Sequence, residues 1–402
     1  MASLASLGER VRTLRLANNI SQTELAAALT NGAVEGNSVV SRIENGRLAL
    51  DDAALTALAK TLRCTPEFLT DCTYEFIATR PWLRAYADAP ARVVESVTAD
   101  NLLVAEAVMR LQLKQIPDRI PVFDGDVNDD HSIEKLAEEV RAAAGITEGA
   151  VVGNAMRAAD RLGCIVLPLT SELGRHLGMS QRIDGTPFIR VSRTGRGEHA
   201  VPGDRQRFTV LHEVGHLALH SNFPPPETAD DARRIERQAH RFASAFLTPA
   251  EPLLEDWTSR GGRMTLSILA DLKATWGIAI KALVVRFQQL GIVSADQATS
   301  LYKQISKKGW NKAEPVETTN EEPIWLSRAI AKRVETAGAL HATESSARLL
   351  GLSEGHISSW IDWSPTGNDA DVLELPCRAP TRRSAPTSGR TASVIQLEPP
   401  RR

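Results

Sequence analysis

The chain has 402 residues, 47 Lys+Arg against 49 Asp+Glu, and four cysteines, none in a CxxC pair. That length allows two or three domains with substantial cores and excludes a disulfide-stapled miniprotein. A net charge of −2 excludes a polybasic nucleic-acid coat, but the balance is uneven, with net +5 over residues 376–402 and −7 over residues 1–375.

Aromatics make up only 5% of the chain, which favours helices over a β-sandwich. Leu7, Val11, Leu14, Leu16 and Ala17 space a first helix. Ser21-x-x-Glu24 is a capping box that opens a second helix through Leu29. A third runs from near Asn37 to the stop at Asn45-Gly46, a fourth follows through Leu55–Leu62, and a fifth starts at Pro66. Residues 80–130, with Pro81, Pro90, Pro117 and Pro121, read as a connector holding one helix near Asp100–Gln112. Helices are then expected over Ile133–Ala144 and Val151–Leu162, and strands over Gly163–Leu169 and Thr186–Arg193. Two further helices, Arg205–His220 and Ala232–Leu247, flank a Pro-rich loop. A helical region continues to Gln304 and includes a hairpin turning at Trp276-Gly277; residues 323–362 form another small bundle. The Pro-, Arg- and Ser-rich remainder reads as disordered. No apolar run approaches the roughly 18 residues of a membrane span, no signal peptide opens the chain, and the sparse thiols suit a reducing compartment. A cytoplasmic protein without a membrane partner is therefore expected.

The residues that carry chemistry are His212-Glu213-Val214-Gly215-His216, an HExxH. A spacing of four puts both imidazoles on one helix face, where they can bind one tetrahedral zinc, and Glu213 lies where it can reach the water on that metal. A zinc enzyme needs a third protein ligand and one open position. Glu236 is the candidate, on a second helix whose Ala239 and Ala243 would let it approach α-helical Gly215 closely. His220, another turn along the first helix, is a rival third ligand. A structural metal site is the blander reading, although such sites are usually closed by four ligands, often Cys, and no Cys lies near. Arg190, Arg193, His199 and Arg205 are all near enough in sequence to steady an oxyanion. A substrate is expected to pair as an extra strand against Phe188–Ser192.

RFTVLHEVGHLALH (Arg207–His220) followed by ERQAHRFASAFLTP (Glu236–Pro249) resembles the ImmA/IrrE family of zinc metallopeptidases. The resemblance covers roughly Ser132–Pro252 and continues more loosely to GWNKAEP (Gly309–Pro315). It implies a Zn2+ cofactor held by His212, His216 and Glu236, with Glu213 as catalytic base. His240 departs from the Asn or Asp more usual there. Residues 7–70 resemble a helix-turn-helix of the XRE (Cro/repressor) type through ISQTELAAAL, SVVSRIENG and LTALAKTL. That resemblance implies DNA contacts by Gln22, Asn37, Ser38, Ser41 and Arg42, with Asn45 and Arg47 at phosphates. Residues 1–72 are net −1, so a basic face has to come from Arg10, Arg12, Arg15, Arg42 and Arg47. The turn TNGAVEGN is also about four residues longer than usual.

The expected fold is mostly α with a small β-sheet: an all-α helix-turn-helix domain, an α+β zincin-like peptidase domain and a C-terminal helical region. The expected boundaries are 1–72 for the helix-turn-helix, 73–131 for the connector, 132–255 for the peptidase, 256–313 for a supporting hairpin, 314–375 for the C-terminal bundle and 376–402 for the basic tail. The expected function is zinc-dependent peptide-bond hydrolysis tied to an operator-like DNA duplex, with a repressor protein of helix-turn-helix type as substrate. A homodimer is one assembly open to it. The alternatives are a catalytically silent regulator, or a toxin–antitoxin-like component whose peptidase-like domain senses or dimerises.

Overall fold

Local signals set most of the helices. Ser6 caps α1 (Leu7–Ala17) by accepting from the Glu9 amide, and the Ser21/Glu24 capping box before α2 (Gln22–Thr30) has both of its hydrogen bonds. Helix α3 (Gly36–Glu44) ends two residues before Gly46, whose φ of 65° lies in the left-handed region that only glycine adopts freely. Helices α4 (Asp52–Thr61) and α5 (Pro66–Thr70) complete the N-terminal bundle. The computed structural model describes residues 6–30, 36–82, 90–169, 177–193, 201–221, 223–336 and 341–364, except the side chains at 30, 36–38 and 336. The 31–35 part of the long turn, His199 and the basic tail lie outside the described residues.

The expected connector contains a 20-residue helix, α6 (Ala91–Arg110), much longer than the spacing predicted. It buries Leu102, Leu103, Val104 and Val108 against α1 and one face of the sheet, and it also buries Asp100, Asn101 and Glu106. Arginines from elsewhere meet the two buried carboxylates, as buried charges require. Glu106 accepts from Arg10 at 2.9 and 3.0 Å and pairs with Arg110 at 2.6 Å; Asp100 pairs with Arg190 at 2.7 Å and accepts from Trp360 at 2.9 Å.

Helices α7 (Asp130–Ala143) and α8 (Ala155–Arg161) lead into the sheet. Helix α8 starts later than the apolar pattern implied because Asn154 caps it, accepting from the Arg157 amide at 2.8 Å. The sheet has three strands, β1 (Ile165–Leu169), β2 (Gly178–Ile183) and β3 (Thr186–Ser192), in the order β1-β3-β2. Strand β3 is parallel to β1 and antiparallel to β2. The turn joining β2 to β3 is Asp184-Gly185, with φ of 46° and 78°, and two successive left-handed residues fit the right-handed twist of a two-residue hairpin. Because β3 is central, both its edges are already paired, so the expected docking of a substrate against Phe188–Ser192 is excluded.

Alternation along the strands splits the core. Ile165, Leu167 and Phe188 face the cluster that holds α1–α6, while Val166, Ile189 and Val191 face α9 (Gly203–Leu219) and α10 (Ala229–Leu247). Helices α11 (Ala250–Ser259), α12 (Leu266–Trp276), α13 (Ile280–Gln289) and α14 (Ala295–Lys307) extend the second cluster. The chain then returns: Leu326 and Ile330 of α15 (Trp325–Thr336), Leu350 of α16 (Ala342–Leu350) and Trp360 of α17 (Glu354–Ile361) join the N-terminal cluster. The Thr65 amide donates to Gly351 O at 2.7 Å and the Ser353 amide to Arg63 O at 2.8 Å, so the helix-turn-helix and the last helices share a core. No helix among the described residues is long and apolar enough to cross a membrane.

Candidate metal centre and its cleft

Helix α9 is buried along nearly its whole length, and Val210, Leu211, Val214 and Leu217 anchor it under the sheet. With the helix fixed, residues 212 and 216 are one turn apart on the same side. Helix α10 crosses closely, because a Cβ at Gly215 would lie 3.0 Å from Phe242 Cδ1 and 3.3 Å from Ala239 O. This close approach brings Glu236 to the two imidazoles. His212 Nε2 lies 3.3 Å from Glu236 Oε2, His216 Nε2 lies 3.4 Å from Glu236 Oε1, and the two Nε2 atoms are 3.0 Å apart. Atoms about 2.0–2.1 Å from one tetrahedral ion sit about 3.3–3.4 Å from one another, so each imidazole nitrogen lies at about ligand spacing from one oxygen of the Glu236 carboxylate, and the two nitrogens lie slightly closer together. Among the described residues no fourth His, Cys, Asp or Glu joins the cluster, which leaves it as a three-ligand set that could hold a metal ion.

The electrostatics agree with a donor set. Burial pushes the Glu236 carboxyl up, but the His212 and His216 rings overcome this and hold it down to about 2. His220 is not a third ligand: its Nδ1 faces His216 Nδ1 at 3.1 Å and its Nε2 faces Gln238 Oε1 at 3.1 Å. The Gln238 amide is oriented by donation from Nε2 to Val127 O at 3.0 Å. His220 Nε2 must therefore be the donor to Gln238. Burial first, then the neighbouring His216, pushes the His220 ring down to about 3, so it is neutral near pH 7 and its Nδ1 is an acceptor. His216 Nδ1 then carries a proton, so the neutral ring would offer its Nε2 lone pair to a cation in place of the hydrogen bond to Glu236. Residue 238 thus sets the tautomer of residue 216 through residue 220, the usual way an outer partner fixes a ligating imidazole.

Glu213 sits on the cleft side. Its Oε2 accepts from Ser180 Oγ of β2 at 2.7 Å, and a Cβ at Gly178 would lie 2.7 Å from its Oε1, so glycine there gives the carboxylate its place. The cleft has a volume of about 980 Å³, and its lining includes Gly178, Arg205, His212, Glu213, His240 and residues of the 310–318 segment. Of the arginines considered for an oxyanion, Arg190 is 1% exposed and spent on Asp100, Asn101 and Pro168 O, and Arg193 donates to Ser359 O; Arg205 alone of these lines the cleft. Sequence reasoning missed Ser180, Gln238 and the β2 strand on which Ser180 stands. The Asp184-Gly185 pair before Thr186–Ser192 was the available hairpin signal.

At the N-terminal end, Arg15 Nε pairs with Glu44 at 2.5 Å, and Gln22 Nε2 donates to the same carboxylate at 2.7 Å. Arg10 is fully buried on Glu106. The expected basic face therefore loses Arg10 and Arg15 to internal ion pairs, which hold α1 to α3 and α6. Arg42 is exposed and Ser41 half-buried on α3, while the side chains of Asn37 and Ser38 lie outside the described residues.

A helix bearing HExxH beneath a small mixed sheet, with a glutamate supplied by the next helix, defines a zincin-like metallopeptidase fold. Residues 159–288 match the model of the IrrE N-terminal-like domain of the M78 peptidases, and residues 11–69 match the helix-turn-helix model. The chain thus joins an ImmA/IrrE-type peptidase domain to an XRE-type helix-turn-helix. No curated protein and no solved structure matched at a significant level.

Proposed function

We propose that the protein is a zinc-dependent endopeptidase carrying its own DNA-binding module, and that it cleaves a transcription repressor of helix-turn-helix type. The observation that carries this reading is the cluster of His212, His216 and Glu236, with His212 and the neighbouring Glu213 lining a cleft. Nitrogen and carboxylate donors in that number suit a catalytic zinc, which keeps one position for solvent. Zinc, when bound, supplies the Lewis acidity that polarises a peptide carbonyl and acidifies water. The chain's own residues do the rest. Ser180 holds one oxygen of Glu213, and that carboxylate takes a proton from the attacking water and returns it to the leaving amine nitrogen. Gln238 and His220 keep the His216 lone pair turned to the ligand position.

The helix-turn-helix supports a role at DNA, with exposed Arg42 on α3 as the side chain best placed to reach a duplex and Ser41 beside it. Gln22, tied to Glu44, acts by fixing α2 against α3. We assign Asn37 and Ser38, at the start of α3, to the same surface. The test is proteolysis of repressors encoded beside this gene, comparing wild type with Glu213→Gln. Cleavage by the wild type alone supports the assignment, and equal cleavage by both refutes Glu213 as base.

A further inference from the structure

In the order β1-β3-β2, the outer side of β2 is the sheet edge nearest the metal site. An exposed strand edge carries a row of unpaired amides and carbonyls, and an extended peptide binds such an edge by adding a strand. Here the edge is taken by the chain itself. The Ile77 amide donates to Asp184 Oδ1 at 2.8 Å, and the Asp184 amide to Ile77 O at 2.9 Å. The Thr79 amide donates to Arg182 O at 2.8 Å, and the Arg182 amide to Thr79 Oγ1 at 2.9 Å. Trp82 and Ser180 exchange both backbone hydrogen bonds, at 2.7 and 3.3 Å. The segment runs antiparallel to β2, with Ala78 opposite Ile183 and Trp82 opposite Ser180.

The end of this segment reaches the chemistry. Ser180 is the residue that holds Glu213. The Trp82 indole is 9% exposed and lies parallel to the His216 ring, with centroids 5.7 Å apart and planes at 2°. It also lies 5.7 Å from the His220 ring. A segment outside the expected peptidase boundaries therefore occupies a backbone edge and an aromatic slot beside the proposed metal ligands.

We infer that Ile77–Trp82 is an intramolecular occupant of the peptide-docking edge, and that the protein's partner at that edge is an extended peptide whose flat aromatic side chain replaces Trp82. The inference rests on the peptidase reading for its consequence, which is that the segment must leave before a substrate pairs with β2. Affinity for an incoming peptide is then reduced by the fraction of molecules in which the segment is in place.

The test needs neither metal nor cleavage. A fluorescein-labelled peptide with the sequence of residues 74–82 is titrated into the full-length chain carrying Glu213→Gln, read by anisotropy. Two further variants of that chain weaken the occupant separately: Trp82→Ala empties the slot, and Thr79→Pro removes the amide bonded to Arg182. Each is checked for a native melting curve, and either one that passes decides the question. The expected result is binding about tenfold tighter or more to the weakened variants than to the parent, lost by about tenfold when the peptide's own tryptophan is replaced by alanine. Equal binding to parent and weakened chains, no binding to any of them, or indifference to the peptide's tryptophan overturns the inference. Failure here leaves zinc binding and Glu213-dependent cleavage as measured, and absence of zinc or cleavage leaves the peptide result as measured, so the two readings fail separately.

Discussion

Helix α9 buries His212 and His216 so that their donor atoms converge with Glu236, whereas α1 buries Arg10 and Arg15 against carboxylates that neutralise them. Both helices spend free energy to bury polar groups, and both belong to segments with a recognisable family pattern. The difference lies in what closes each network. Around α1, the buried Arg10 and Arg15 each meet a carboxylate within the fold, so the network joins α1, α3 and α6 into one piece. At α9 two imidazole nitrogens and a carboxylate face one another at ligand spacing, an arrangement that a cation completes. A buried polar cluster thus points to function when its members are of like donor character and converge, and to architecture when they are complementary.

That contrast can be broken in several places. Glu213→Gln should lower cleavage by about 10²- to 10⁴-fold, the usual weight of a general base, while zinc content is unchanged. A fall in zinc content with activity would move Glu213 into the ligand set. Glu106→Leu leaves the fully buried Arg10 without its carboxylate and should cost about 3–5 kcal/mol in a denaturant titration. A loss near zero would show that Arg10 is not held by charge. Gln238→Leu should weaken zinc affinity by about 10- to 100-fold without removing a ligand, because His220 loses the acceptor that fixes its tautomer. Unchanged affinity would disprove the relay. The smallest effect belongs to the surface: Arg42→Ala should weaken duplex binding and reduce its salt slope by about one. A binding curve that ignores Arg42 would place DNA recognition elsewhere.

Much of this was legible in the sequence because it is local. The HExxH and the apolar stripe of α10 encode helix, face and spacing within a few turns, and the Ser21/Glu24 capping box encodes a helix start in four residues. What escaped depends on partners distant in the chain. Strand β2 reads GMSQRI, with polar Ser180 and Gln181 fully buried, because their partners are Glu213 and Thr98. No periodicity announces a strand whose inner residues are polar. Helix α6 likewise hides Asp100 and Glu106 inside because Arg190 and Arg10 meet them there. The same long-range pairing removed Arg10 and Arg15 from the face that composition offered to DNA.

The central claim is that His212, His216 and Glu236 form a zinc site, and elemental analysis after equilibrium dialysis against zinc tests it most directly. The account predicts about one zinc per wild-type chain and loss of that zinc in Glu236→Ala, with the variant still folded. A wild-type chain that stays metal-free after loading, or a Glu236→Ala chain that keeps its zinc, would contradict it.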